Sequence, residues 1–253
     1  MNLRYITCSD PREHNSIKSI VELARMPYAE IAVQCHPSKM SLGMPRNMWF
    51  NELLGESLQL PYPINLAVHI NSEWADYICT KGYIPSILLD WFLIKNIWDE
   101  PIIQRVQLNM PKQTADKIDV HHVARIIKFF HDKEFIFQYN DKTAQAIQKL
   151  HEAGLKFSLL FDASGGNGIA PKSWEKPIYE SHPMGYSGGM SAENVIGNLR
   201  KINTLVPKDD AIWIDAEGKL KSSDLFDEKL KFDVDLARAY ITRANMWTKE
   251  KQR

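Results

Sequence analysis

The feature that most constrains this chain is alternation. Short β-rich runs recur as LRYITC (3–8), EIAVQC (30–35), INLAVHIN (64–71), IIQRVQLN (102–109), EFIFQYN (134–140), KFSLLFD (156–162), a weaker HPMGYS (182–187) and AIWID (211–215). Helical patterns fall between and after them, at 16–26, 120–132, 144–154, 192–202 and 233–245. Alternation of this kind predicts right-handed βαβ units on a parallel sheet. Eight units in 253 residues fit a single-domain α/β (β/α)8 TIM barrel in number and length. A doubly wound open sheet is the alternative. Ser191 reads as a helix N-cap and Gly154 as a C-cap.

Charge and cysteine content narrow the function classes. Lys plus Arg and Asp plus Glu both number 31. That balance points to no nucleic-acid partner and no membrane surface, both of which call for a basic excess. The opening MNLRYITCSDPREH does not read as a signal peptide, and the apolar run YIPSILLDWFLIKNIW is interrupted by Asp90 and Lys95, so it reads as buried helix. Cys8, Cys35 and Cys79 form an odd set without metal-type spacing, which predicts reduced thiols in a cytoplasmic protein. Without CxxC or HExxH motifs, no metal site is expected, and no cofactor is expected either.

The strand ends carry the chemistry. Apolar runs close repeatedly on polar or reactive groups: Cys8, His69 with Asn71, Gln107 with Asn109, Gln138 with Asn140, Asp162, and Asp215. In a barrel these ends converge on one mouth, where active sites are built. Glycine is concentrated in the same place. Of 12 in the chain, Gly165, Gly166, Gly168, Gly185, Gly188 and Gly189 fall between Asp162 and Ser191. GYSGGMSAENV sets Gly188 and Gly189 between a strand and a helix start. There bare backbone N–H groups and the helix N-terminus suit a phosphate.

In this order the motifs resemble those of the phosphoribosylanthranilate isomerase family. ITC ends in Cys8 as that family's first strand ends in cysteine, and LLFDASGGNGIAPKSW resembles its sixth strand, with Asp162, GGNG and Trp174. GYSGGMSAENVIGNL resembles its phosphate loop at Gly188, Gly189, Glu193, Asn194 and Val195. IDAEGKLK aligns Asp215 and Gly218 with its eighth strand, while LAVHIN and VQLN resemble its third and fourth. The resemblance implies a (β/α)8 barrel with insertions near 83–101 and 219–232. It also implies an Amadori rearrangement of an aminoaldose phosphate to an aminoketose.

In that scheme Asp162 is the general acid, Cys8 the general base, and Gly188, Gly189 and Gly218 hold phosphate. Lys39 or Arg46 meets a substrate carboxylate, and Asn71, Gln107 and Asp215 contact the sugar-type phosphorylated ligand. The sequence also departs from the family. Ser9-Asp10-Pro11 follows the cysteine, Asn167 replaces a threonine, and Ala216-Glu217 replaces a serine-containing phosphate contact. These departures motivate the alternative reading, a non-catalytic barrel that binds a phosphometabolite. His121-His122 reads as solvated or packed, Met40, Met44 and Met48 as packing or a cover over the mouth, and Trp174 as outer-layer packing.

Overall fold

Strand alternation decides which side chains reach the mouth, and in this chain two bulges set its phase. In a computed structural model that describes residues 1–166, 168–224 and 227–251, eight strands form a closed parallel barrel in sequence order. They are β1 (Asn2–Ser9), β2 (Ala29–Cys35), β3 (Asn65–Ile70), β4 (Ile103–Leu108), β5 (Glu134–Tyr139), β6 (Ser158–Phe161), β7 (Met184–Ser187) and β8 (Ala211–Ala216). The chain is a single-domain (β/α)8 TIM barrel. The expected strands appear within one or two residues of their ends.

Helices cover the sheet with their apolar stripes inward. Ile17–Ala24 is capped by Ser16, whose hydroxyl accepts from Ser19 N–H. Val120–Phe129 is capped by Asp119, and Ala144–Glu152 ends on Gly154 in the left-handed region at φ 70°. Gly154 therefore acts as expected, relieving the Cβ clash of that conformation. Ser191 does not cap a helix directly. The helix starts three residues later than expected, at Val195, with Asn194 as its cap residue.

Helix Pro45–Gln59 was not legible as an amphipathic stripe, because Arg46 and Asn47 are buried beside Trp49, Phe50 and Leu53. In the segment 83–101, helix Ser86–Leu93 buries Leu88, Trp91 and Phe92, and Phe50 meets Trp91 edge-on at 4.8 Å. In the segment 219–232, strands β9 (Lys221–Asp224) and β10 (Asp227–Phe232) form a hairpin. No helix among the described residues is long and apolar enough to cross a membrane.

Inside the barrel the floor is charged. Leu3 pairs with Ile212 and Tyr5 with Trp213, so Arg4 is an extra residue that shifts the alternation of β1. Gln104 plays the same part in β4, where Ile103 pairs with Leu66 and Arg105 with Ala67. Arg105 consequently turns inward, where it is 1% exposed. It donates to Glu30 at 2.7 Å and lies 3.2 Å from Glu134. Its guanidinium is sandwiched between Tyr5 and Trp213, at 4.5 and 4.3 Å from the ring centres. Ile136, Leu160 and Trp213 complete the interior packing. Gly185 makes room for that tryptophan: a Cβ there would come within 2.1 Å of the ring.

Candidate active site

Above the floor the inward positions are polar, and they enclose a cavity of about 350 Å³ at the carboxyl ends of the strands. Asp162, Asp215, Gln107, Gly188, Gly189 and Gly218 all line it. A smaller lobe of about 220 Å³ adjoins it, bounded by Asp10, Arg12, Arg46, His36 and Asn71. Among the residues expected at the site, these are therefore brought together.

Two are not. Cys8 points the other way. The Arg4 bulge puts Thr7 and Ser9 on the inner face, so Cys8 lies in the layer between sheet and helices at 0% exposure. Burial pushes its thiol well above its ordinary pKa, and the nearby Asp215 and Glu30 charges push further. Burial of this kind disfavours the thiolate, and the side chain lines neither lobe of the mouth; the expected base role for Cys8 is corrected on these grounds. Lys39 sits on the exposed side of the short helix Pro37–Met40 and lines neither lobe. Arg46, the other candidate, does line the smaller lobe, held against Glu13 at 3.2 Å and Asp10 at 3.6 Å.

The two aspartates differ sharply in their partners. Asp162 follows β6 and accepts four hydrogen bonds. Gln138 Nε2 and the Gly166 N–H each donate to Oδ2 at 2.6 Å, while the Ser164 N–H and hydroxyl donate to Oδ1 at 3.0 and 2.7 Å. Its carboxylate thus ties the loop 162–166 into a turn and joins it to β5. Asn167 of the GGNG motif lies outside the described residues.

Asp215, on β8, accepts one bond from a side chain, from Ser9 Oγ at 2.6 Å. Burial pushes its carboxyl up to about 8, against the lowering effect of the Ser9 bond, and the charges of Glu217, Glu30 and Asp162 push the same way. A carboxyl with that value holds a proton near neutrality and gives it up readily, the property wanted in an acid–base group.

The loop expected from the sequence to hold phosphate turns on two glycines. Gly188 and Gly189 adopt φ values of 133° and 57°, conformations that favour glycine. Close packing asks for glycine as well, since a Cβ on Gly188 would lie 2.9 Å from Pro171 Cδ. Asn194 braces the loop: its Oδ1 accepts from the Ser191 N–H at 2.9 Å and its Nδ2 donates to the Gly189 carbonyl at 2.8 Å. Lys219 adds a cation to the same wall. Glu217 is turned to other partners, with Lys221 Nζ at 2.8 Å and Gln34 Nε2 at 2.9 Å.

Asp10, the departure beside Cys8, is matched by Arg12 and by Lys221 at 2.8 Å. Burial raises its carboxyl, yet the Arg12 hydrogen bond and the Lys221 charge hold it below the usual range. Sequence reasoning missed Ser9, Gln34 and Lys221. Gln34 had a signal, being polar and four residues from Glu30 in an otherwise apolar strand. Among the described residues, no group of three His, Cys, Asp or Glu side chains gathers as a metal site.

No protein-family model matches the chain, and no curated protein matches it. Among solved structures, one that matches is 3-hexulose-6-phosphate synthase from Salmonella typhimurium, at 12% identity and a TM-score of 0.49, over 96% of this chain and 99% of that one. The resemblance to the isomerase family therefore rests on the motifs alone.

Proposed function

We propose that the protein is a phosphosugar isomerase that performs an Amadori rearrangement on an N-substituted phosphoribosylamine, with Asp215 as its acid–base group. The observation that carries this reading is Asp215 itself: a buried carboxyl at a strand end, raised to about 8, in a cavity shared with Gly188 and Gly189.

Protonated Asp215 delivers its proton to the ring oxygen as the amine lone pair expels it from C1. This opens the ring to an iminium. The carboxylate left behind takes the proton from C2, and the electron pair neutralises the nitrogen to give an enolamine. Proton return to C1, with the C2 hydroxyl proton passing back to Asp215 through water, yields the ketose and restores the enzyme. Positioned proton transfer of this kind contributes about 10²–10⁴-fold. Gly188, Gly189, Gly218 and Lys219 hold the phosphate, which fixes the far end of the substrate and orients the reacting carbons. Gln107 and the amides beside it meet the sugar hydroxyls. Asp162 keeps the loop over the site in place.

The orientation of Cys8 favours a second reading, a barrel that binds a phosphorylated metabolite without turning it over. One experiment separates them. Phosphoribosylanthranilate generated in situ loses its fluorescence when an isomerase is added, and decay that survives C8A but not D215N supports Asp215. Phosphate-dependent thermal stabilisation without any decay supports the binding protein.

A further inference from the structure

Four amide side chains run across one wall of the mouth and end on a histidine. Gln107 Nε2 donates to Asn109 Oδ1 at 2.9 Å, and Asn109 Nδ2 to Asn71 Oδ1 at 3.0 Å. Asn71 Nδ2 then donates to Gln34 Oε1 at 2.7 Å, and Gln34 Nε2 lies 3.2 Å from His69 Nδ1. An amide can be reversed, so the direction of such a chain is fixed only where it meets a group that cannot donate. Here it meets two. Asn71 Nδ2 also reaches the His69 backbone carbonyl at 2.9 Å. Gln34 Nε2 also reaches Glu217 Oε2 at 2.9 Å, a carboxylate whose other oxygen is paired with Lys221 Nζ at 2.8 Å.

Gln34 must therefore offer its NH₂ to His69, Nδ1 must accept, and the single ring proton of a neutral imidazole must sit on Nε2.

The surroundings keep the ring neutral. His69 is 3% exposed. Burial, then the Arg105 guanidinium below it, lower its value to about 3; the Asp10 carboxylate opposes this only weakly. Glu217, just beyond β8, faces it through Gln34, and Asp215 and Asp162 line the same cavity. The ring lines that cavity as well, with its second nitrogen available to a ligand.

On the isomerase reading above, we infer that His69 is a further catalytic residue, a neutral Nε2–H donor to the ring oxygen as its bond to C1 breaks, and that Gln34 is the positioning residue that fixes the tautomer. A neutral donor stabilises developing negative charge without competing with Asp215 for the proton. Removing one such preorganised donor costs about 10²–10³-fold in kcat.

Two-bond ¹H–¹⁵N correlation spectra of the uniformly labelled protein test the tautomer directly, with H69Q assigning the signal. An Nε2–H imidazole that does not titrate between pH 5 and 8 is expected; an Nδ1–H tautomer, or an imidazolium in that range, overturns the inference. Q34E then replaces the donor with an acceptor, which draws the proton to Nδ1. The expected result is a kcat lower by about 10²–10³-fold with KM little changed and a native circular dichroism spectrum, the thermal midpoint falling only because the new carboxylate faces Glu217. Unchanged kcat after the proton has moved overturns the catalytic role. Wild-type protein without isomerase turnover refutes the isomerase reading and this role with it, whereas an active enzyme with the other tautomer refutes this inference alone.

Discussion

The ends of β6 and β8 make an instructive pair. Each presents a buried aspartate to one cavity, yet Asp162 is held by four donors and Asp215 by one hydroxyl. A carboxylate whose oxygens are filled serves as a structural anchor. One left in low dielectric among like charges rises instead, here to about 8. Residue type and position in the fold are alike; the number of donors separates the roles. On the barrel floor the carboxylates of Glu30 and Glu134 are met instead by the Arg105 guanidinium.

Substitution at each end breaks the comparison in a different observable. D215N is expected to lower turnover by about 10²–10⁴-fold while leaving the fold intact, as read by kcat and circular dichroism. R105M leaves the buried Glu30 carboxylate without its cation and takes one of two arginines from Glu134, and it is expected to cost about 3–5 kcal/mol of stability in denaturant unfolding. D162N leaves donors of the 162–166 turn unmatched, so a loss of about 1–3 kcal/mol is expected. Equal loss of activity in D162N and D215N, with no loss of stability in either, would erase the distinction.

Stability against pH sharpens the same contrast. Native Asp215 keeps its proton until about pH 8, whereas in the unfolded chain it loses it near 3.9. Its contribution is therefore whole below about pH 4 and is lost as pH rises through 8. Between pH 7 and 9 the loss amounts to about 1.4 kcal/mol. Thermal midpoints measured over that range should fall for the wild type, and this component should vanish in D215N. The smallest effect belongs to C8A, which leaves turnover unchanged and costs about 1 kcal/mol of stability.

Much of this was legible in the sequence. Eight alternating units gave the barrel because local periodicity and chain length leave few other closures. Strand-end polarity located the mouth, and Gly188-Gly189 marked a loop that the structure places on the cavity wall. The polar inward residues of β2 and β4, Glu30 with Gln34 and Arg105 with Gln107, share a parity that could have been read as well.

What the sequence could not decide was phase and partnership. Counting by twos from Leu3, which packs in the outer layer, turns Cys8 inward, but the register of β8 leaves Arg4 unmatched, and that bulge presents Thr7 and Ser9 instead. Asp162 and Asp215 look equivalent as letters. Their difference comes from Gln138 on β5, the Gly166 turn and Ser9 on β1, donors that only barrel closure brings to them. Alternation is a local property of a strand. A bulge and a carboxylate's environment depend on which distant strand lies alongside, and that is fixed only when the sheet closes.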